Sequence, residues 1–418
     1  MTTNPATPVA PMATDLQDER LIRTDGFKGA VKVGVNRVRG GDLGVLPIIV
    51  GLLVIWTIFQ ALNPFFLSSA NLVNLLLESA AVGVIALGIV CVLLVGEIDL
   101  SVGSVSGLSA AIVGVTFIKL DWPILLAVLT ALAAGAVIGL VYSLVYTKFG
   151  VPSFVITLAG LLGFLGLQLW VLGVEGTINL PFDSFLVWFG QTAFVPPWLS
   201  YVLAALGVAG FLLSQVTLSR QRIKAGLSGR PMRLVVIQTV VLAVILFFAV
   251  WYLNQARGVG WMFVFFAALV LVMHYAFTRT QWGRSVYAVG GNREAARRAG
   301  ISVNRIYVSI FVLCSTFAAV GGMLAAGRLA ASAQSSGTGD VNLNAIAAAV
   351  IGGTSLFGGR GSAFSALLGI LVIQSISSGL TLLNLESSFR YMITGLVLLL
   401  AVILDAVSRK SRTSHGRA

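Results

Sequence analysis

Charged residues are scarce in this chain. Asp, Glu, Lys and Arg make up 10% of its 418 residues, and 57% of the residues are hydrophobic. Ordinary soluble domains are about 25% charged. So little charge excludes a typical soluble domain and indicates a protein that crosses a membrane several times.

Cysteine and histidine are also rare, with two of each. Both cysteines, Cys91 and Cys314, lie inside apolar runs, so we interpret them as small buried hydrophobic residues. Neither a disulfide framework nor a metal-ligand spacing can be built from them. No pairing of a nucleophile with a base is readable, and we therefore expect no catalytic residue, metal or cofactor.

A phosphate-binding loop that ends in Gly-Lys-Ser/Thr is missing as well. The nearest imitation, "GTSLFGGRGS" (residues 353–362), has Arg360 where the lysine is needed and lies between apolar runs. Energy for any active process must come from another chain or from an ion gradient.

Glycine is abundant, with 46 residues, against a usual share of about 7%. Close approach of helices in lipid uses small residues. The pairs Gly103/Gly107 and Gly135/Gly139, each spaced four apart, are therefore predicted to be packing faces.

About twelve apolar runs are long enough to span a bilayer, which takes about 20 residues. The predicted fold is an all-α polytopic membrane protein, with a broken helix expected where the short tenth run ends in "GGTSLFGGRGS" (352–362). The runs are residues 43–62, 72–95, 102–118, 123–146, 152–171, 198–216, 234–253, 261–277, 306–326, 343–356, 363–383 and 391–406.

The positive charges follow an alternating pattern between these runs. If the N-terminus is cytoplasmic, 23 of the 27 Lys and Arg residues fall in inside segments, as the positive-inside rule requires. We predict a bacterial inner-membrane protein with both termini cytoplasmic. Residues 1–42 form a tail, 43–408 the transmembrane domain and 409–418 a basic tail. The net charge of +12 thus reflects topology, and we expect no nucleic-acid partner.

Two carboxylates interrupt the apolar sequence at "GEIDLSVGSVSGLSAA" (residues 96–111). We expect Asp99 or Ser101 to cap the following helix, and Glu97 to pair with Arg360 or another inside arginine. "GGTSLFGGRGSAFSALLG" (residues 352–369) is a faint echo of this segment; duplicated broken helices point to transport sites, and chance similarity in a Gly/Ala/Ser-rich chain is the alternative. The residues predicted to shape a gate are Glu97, Asp99, Ser101, Gly103, Thr354, Ser355 and Arg360.

Small polar residues within the runs are candidates for a translocation path, because a conduit must bind its solute weakly. Hydrogen bonding between helices is the alternative role for each. The candidates are Ser104, Thr157, Gln168, Asn344 and Gln374.

The inside loop at residues 279–305 contains "YAVGGNREAARRAGIS" (287–302). Asn292 suits an N-cap, Glu294 the first turn and Gly300 the C′ position of a helix of about two turns. So short a helix must pack on something. A partner docking on its small face (Ala295, Ala296 and Ala299) and its arginines is one reading; folding onto the chain's own membrane domain is the other.

The stretch "GRSVYAVGGNREAARRAGISVNRIYVSIF" (residues 283–311) resembles the cytoplasmic coupling segment of bacterial sugar ABC-importer permeases of the ribose/xylose/galactose group. Residues 96–111 and "AAAVIGGTSLFGGRGS" (347–362) resemble that family's other hallmarks, in the same order. A ribose-type permease has a core of ten spans, and the resemblance implies that this chain inserts two more, at about 234–277. The longer form is most similar to xylose permeases.

The resemblance implies a permease for a monosaccharide, xylose or another pentose, that forms half of a homodimeric pore. An outside sugar-binding protein and a tandem-domain ATP-binding subunit would be its partners, and ATP hydrolysis would belong to the latter. The coupling residues implied by the motif or by their charge are Gly290, Gly291, Asn292, Glu294, Ala295, Ala296, Arg297, Arg298 and Gly300.

Two other classes compete with this interpretation. A gradient-driven secondary sugar transporter usually carries ionisable residues in mid-span, and here Glu78 is the one candidate. An integral-membrane enzyme would need a metal or acid–base cluster, which the sequence lacks.

Overall fold

The computed structural model describes residues 46–225 and 231–386, together with single positions between 388 and 403. The predicted N-terminal tail, the last predicted run (391–406) and the basic tail fall wholly or largely outside these residues. The helices are α1 (Leu46–Leu62), α2 (Ser69–Leu94), α3 (Val102–Gly114), α4 (Ile124–Phe149), α5 (Ser153–Leu172), α6 (Phe185–Val187), α7 (Pro197–Lys224), α8 (Met232–Leu253), α9 (Trp261–Arg279), α10 (Gln281–Gly291), α11 (Arg293–Arg298), α12 (Val303–Leu329), α13 (Val341–Ile351) and α14 (Ala363–Leu382).

The predicted all-α polytopic fold is confirmed. Within the described part of the chain, nine helices are long and apolar enough to cross a membrane, and α1 and α13 are shorter apolar helices. A π-helical stretch, Val115–Lys119, extends α3. Two three-residue strands, β1 (Thr177–Asn179) and β2 (Ala331–Ala333), pair antiparallel. Each predicted run up to residue 383 overlaps one of these helices.

Helix α2 is at the centre of the larger core. From Ser79 to Leu94 it is buried on almost every side, apart from the half-buried Val82. A helix that is apolar all round is stable only when other helices surround it. Residues of α3, α4, α9, α12, α13 and α14 complete this core.

The contact between α4 and α12 depends on glycine, as the Gly135/Gly139 spacing predicts. A Cβ at Gly135 would lie 2.8 Å from the carbonyl oxygen of Ser315 on α12, and one at Gly139 would overlap the carbonyl of Phe311. The two backbones can approach this closely only because neither glycine has a side chain.

Substituting Gly139 by alanine should therefore destabilise the protein. The added methyl group meets backbone atoms of α12 that have no free direction to move, and overpacking of this kind costs about 1–3 kcal/mol. Gly163→Ala is the matched control, because Gly163 on α5 has no neighbour within 4 Å of a built Cβ. Thermal unfolding of the purified protein in detergent should show a lower midpoint for Gly139→Ala only; equal midpoints would contradict the packing assignment.

The described residues divide into two compact units: those within 198–250, and those within 46–197 together with those after 250. In the described part of the smaller unit, α7 and α8 form a hairpin in which the rings of Tyr201 and Phe247 stack at 6.2 Å. The expected insertion of two spans at about 234–277 stays a prediction. In the structure the second of these helices, α9, contributes Phe266 to the larger core.

One membrane segment is only half helical. Helix α13 has 11 residues and is about 16 Å long, roughly half of a bilayer core. The irregular segment (residues 331–340) precedes it and runs along α3: Ser332 Oγ donates to the carbonyl of Ala110 at 2.7 Å, and Gly103 lies against the carbonyl of Gly337. Irregular backbone at this depth is tolerated only where protein or a wet cavity surrounds it.

Candidate functional site

The three segments that stand out in the sequence meet at one place. They are the GEIDLS loop (residues 96–101) after α2, the glycine loop (residues 352–362) between α13 and α14, and α10. The backbone amide of Gly359 donates to the carbonyl of Leu94, at 2.9 Å. All three are predicted to be inside segments, so alternation of the spans and the structure agree that they share one side.

Four glycines form this glycine junction: Gly96, Gly290, Gly358 and Gly359. Gly96, Gly358 and Gly359 have positive φ angles of 79°, 83° and 73°, a region that L side chains rarely adopt. A Cβ at Gly290 would overlap the carbonyl of Leu94 and lie 2.7 Å from the amide of Gly359. The junction is therefore a direct backbone-to-backbone contact, and any side chain at Gly290 would separate its three segments.

Tyr287 of α10 adds a side-chain bond to the junction. Its hydroxyl donates to the carbonyl of Gly361 at 2.9 Å. Burial raises the pKa of this phenol, so it stays protonated and keeps its donor. Together with Gly290 it fixes α10 to the glycine loop.

Asp99 is almost completely buried, at 1% exposure. Its Oδ1 accepts from the backbone amide of Ser101 at 2.8 Å and from the Ser101 hydroxyl at 2.7 Å, and the Cys314 thiol lies 3.7 Å from Oδ2. Tyr142 donates in turn to the Ser101 hydroxyl at 2.8 Å. Buried polar groups persist when they are bonded in this way.

The expected side-chain cap of α3 is not observed. Ser101 occupies the N-cap position, but its φ of −98° and ψ of −5° are helical and its side chain makes no capping bond. Its hydroxyl is used by Asp99 and Tyr142 instead. Asp99 bonds to the N-cap amide itself and so shapes the turn before the helix, in place of capping the first turn.

Glu97 does not pair with Arg360, as the sequence led us to expect. Among the described residues it accepts a hydrogen bond from the hydroxyl of Tyr146 at the end of α4. Arg360 is exposed, and no ion pair links it to Glu97 in this part of the chain. Arg293 is the arginine that approaches, with its Nη1 3.4 Å from the same Tyr146 hydroxyl.

The glycine loop forms a compact turn. The amide of Ser355 donates to the carbonyl of Arg360 at 3.0 Å, and the Ser355 hydroxyl accepts from the amide of Phe357 at 3.2 Å. Thr354 is buried against Gly361, and its hydroxyl has no partner among the described residues. The helix break expected after α13 is thus present, and it ends at α14, whose first residue is Ala363.

Helix α11 has the ends that its sequence predicts. Asn292 Oδ1 accepts from the amide of Ala295 at 2.9 Å. At the other end Gly300 has φ 83°, its amide donates to the carbonyl of Arg297 at 3.0 Å, and that of Ile301 donates to Ala296 at 3.1 Å. These two bonds define a Schellman motif.

One residue of the expected docking face points elsewhere. Ala296 is buried and belongs to the chain's own core, so only part of the small face is open to a partner. The other implied coupling residues of α11 and its ends remain exposed, namely Asn292, Glu294, Ala295, Arg297, Arg298 and Gly300, as does Gly291. Glu294 and Arg297 form an exposed ion pair at 3.1 Å, and such pairs contribute little.

Sequence reasoning missed α10 as a helix, because Gly283, Gly290 and Gly291 read as breaks. Each has a structural role: Gly283 lies against the end of α9, and Gly290 lies at the glycine junction. Thr280 caps α10 through the amide of Gly283 at 3.1 Å. The signal that could have predicted α10 is Thr280 as an N-cap, followed by apolar residues at helical spacing, Trp282, Val286 and Val289.

The predicted path residues are mostly bonded within the chain. Ser104 donates to the carbonyl of Leu161 at 2.8 Å, Thr157 accepts from the amide of Leu100 at 3.1 Å, and Gln168 donates to carbonyls of the irregular segment. The alternative role, hydrogen bonding between segments, is thus observed for these three. Asn344 Oδ1 has no partner among the described residues, and Gln374 donates to Glu78 on α2. Path lining stays a prediction for all five.

The described residues contain no group of three or more His, Cys, Asp or Glu side chains that could hold a metal ion. They bring together two membrane segments interrupted by loops, the irregular segment before α13 and a surface helix packed on the break. Discontinuous membrane helices around irregular, protein-covered backbone are typical of transport proteins. The architecture is therefore that of a membrane transport protein.

The family follows from comparison with known proteins. The model of the branched-chain amino acid transport system / permease component family matches residues 71–402. The xylose transport system permease protein XylH of Escherichia coli K12 is 34% identical over 380 residues, which cover 90% of this chain and 95% of the relative. The ribose import permease protein RbsC of Bacillus subtilis 168 is 33% identical over 355 residues, 85% of this chain and 90% of the relative.

This chain belongs to that family of transport-system permease components. XylH of Haemophilus influenzae, at 32% identity over 379 residues, covers 90% of this chain and 99% of the relative. No solved structure matches the chain. Membership in the family agrees with a multi-pass protein of the inner membrane.

Proposed function

We propose that this chain is the membrane-spanning permease subunit of an ATP-driven importer that passes a monosaccharide, xylose or another pentose, into the cytoplasm. The observation that carries the proposal is the similarity to xylose and ribose permeases over 90% and 85% of the chain. The family description names amino-acid transport, but the full-length relatives named above are sugar permeases.

The proposed partners are those that the resemblance to sugar ABC-importer permeases implies. A tandem-domain ATP-binding subunit would contact α11 on the inside, a sugar-binding protein would deliver the solute on the outside, and a second copy of the chain would complete the pore. The exposed residues of α11 support the first contact. The missing Gly-Lys-Ser/Thr loop supports a separate source of ATP hydrolysis.

The proposed orientation places both termini in the cytoplasm. Besides the charge bias, contacts between the predicted outside segments support the alternation on which it rests. Strand β1, which follows α5, pairs with β2, which follows α12. Gln191 donates to the carbonyl of Arg328 at 3.0 Å, and the backbones of Phe194 and Gly260 form a bridge. Spans that alternate in direction bring these segments to the side opposite the glycine junction.

Uptake of labelled sugars by the reconstituted system tests the function. Proteoliposomes that hold the chain with its ATP-binding subunit should take up xylose only when ATP and the binding protein are present. A variant of the ATP-binding subunit that cannot hydrolyse ATP is the control, and it should show background uptake. Pentoses and hexoses compared in the same assay identify the sugar.

A gradient-driven sugar transporter is the alternative function. The residue that favours this alternative is Glu78, an ionisable side chain within the membrane helix α2. It accepts a hydrogen bond from Gln374. In the same liposomes, xylose uptake driven by a proton or sodium gradient with the chain alone would establish this alternative and contradict the ATP-driven proposal.

A further inference from the structure

Arg293 is the first residue of α11, an unfavourable place for a cation. The N-terminus of a helix carries partial positive charge, so acidic side chains are preferred there. Glu294 follows that preference and Arg293 does not. The contacts of its guanidinium group explain the exception.

The guanidinium of Arg293 lies over two neighbouring aromatic rings. Its Cζ is 5.8 Å from the ring centroid of Tyr146 on α4 and 5.3 Å from that of Tyr307 on α12. The two rings are 4.7 Å apart. Arginine over aromatic faces within about 6 Å is attracted by the ring quadrupole. One side chain of α11 thus contacts two membrane helices.

The Tyr146 hydroxyl extends this contact to the GEIDLS loop. It accepts from Arg293 Nη1 at 3.4 Å and donates to Glu97 Oε1. A phenol can do both at once, and the carboxylate at the far end is the charge that complements the guanidinium. The order Arg293, Tyr146, Glu97 therefore forms one polar chain from α11 to the loop.

The loop at the other end of this polar chain is part of the helix break. The amide of Ile98 donates to the hydroxyl of Ser153 at 3.3 Å and that of Leu100 to the hydroxyl of Thr157 at 3.1 Å, both on α5. Gly96 lies against Gly358 of the glycine loop. A displacement of Glu97 would therefore reach α5 and the glycine junction as well as the start of α3.

We propose that Arg293 is a positioning residue that transmits movement of α11 to the helix break through Tyr146 and Glu97. This inference rests on the proposed function, because it requires an ATP-binding partner that moves α11. Arg293 contacts neither the sugar nor the nucleotide. Its role is to keep the surface helix and the GEIDLS loop moving together.

The test compares Arg293→Gln with Arg284→Gln in the reconstituted importer, measuring ATP hydrolysis and xylose uptake together. Arg284 is an exposed arginine of α10, so the charge change is matched. In Arg293→Gln the sugar transported per ATP should fall about fivefold or more, which is the order expected when a charge-assisted bond is lost. Co-purification of the ATP-binding subunit should stay unchanged, and Arg284→Gln should keep the parent ratio.

Two further variants separate transmission from mere stability. Tyr146→Phe removes both hydrogen bonds of the phenol but keeps its ring, and it should lower the same ratio without an additional loss in the Arg293→Gln background. Arg293→Lys, which keeps the charge near the rings, should recover part of the ratio. Equal melting temperatures would show that these variants fold.

A parent-like ratio of sugar to ATP in Arg293→Gln would overturn the inference and leave the importer assignment intact. Additive losses in the double variant would overturn it too, because residues of one chain of contacts act as a unit. Failure of the parent complex to couple ATP hydrolysis to uptake would instead overturn the proposed function, and this inference with it.

Discussion

Gly290→Ala is expected to reduce sugar uptake by about tenfold or more, the order that follows from an overpacking cost of about 1–3 kcal/mol. The methyl group would overlap the carbonyl of Leu94 and approach the amide of Gly359. Both are backbone atoms, so no rotamer change can make room. Helix α10 would have to leave the glycine junction, and the three segments would separate. Uptake per amount of membrane-inserted protein measures the effect.

A glycine outside the junction supplies a control for this prediction. Gly166 also lies within a helix, α5, and a Cβ built there has no neighbour within 4 Å. Gly166→Ala should therefore transport like the parent. If Gly290→Ala also transported normally, the glycine junction would have no part in transport.

Gly300→Pro should reduce uptake to a comparable extent, for a different reason. Proline fixes φ near −65° and removes the amide hydrogen, whereas Gly300 has φ 83° and donates to the carbonyl of Arg297 at 3.0 Å. The Schellman motif would be lost, and with it the end of α11 that positions Ile301 and the start of α12. Membrane insertion should remain normal.

Asparagine at the same position is the matched comparison. It adopts positive φ more readily than other non-glycine residues and keeps the amide donor. Nothing lies within 4 Å of a Cβ at Gly300, so size has no effect. Gly300→Asn should keep most of the uptake, and a loss as large as that of Gly300→Pro would show that conformation is not the cause.

The local features of α11 were predictable because they depend on neighbours in sequence. Asn292 as N-cap and Gly300 as C′ are fixed by hydrogen bonds over three to five residues. The direction of the Ala296 side chain was not predictable. The pattern Ala295, Ala296, Ala299 describes a small face, but only packing against the rest of the chain determines which member is buried.

The partners of the two carboxylates show the same limit. We expected Glu97 to pair with an inside arginine, but Tyr146 of α4 donates a hydrogen bond to it. Nothing in the sequence relates positions 97 and 146. The side-chain bonds of Asp99 to Ser101 and Cys314 likewise join one close neighbour and one distant helix.

By itself the sequence determined the number and approximate positions of the membrane helices up to residue 383, the break after α13 and the ends of α11. Each of these follows from hydrophobic length, glycine or a capping residue within a few positions. Only the tertiary structure decided that Gly96, Gly290, Gly358 and Gly359 meet and that Arg293 reaches Glu97 through Tyr146. Such contacts join residues far apart in the chain, and their free energy arises when whole helices pack, which no local pattern of residues records.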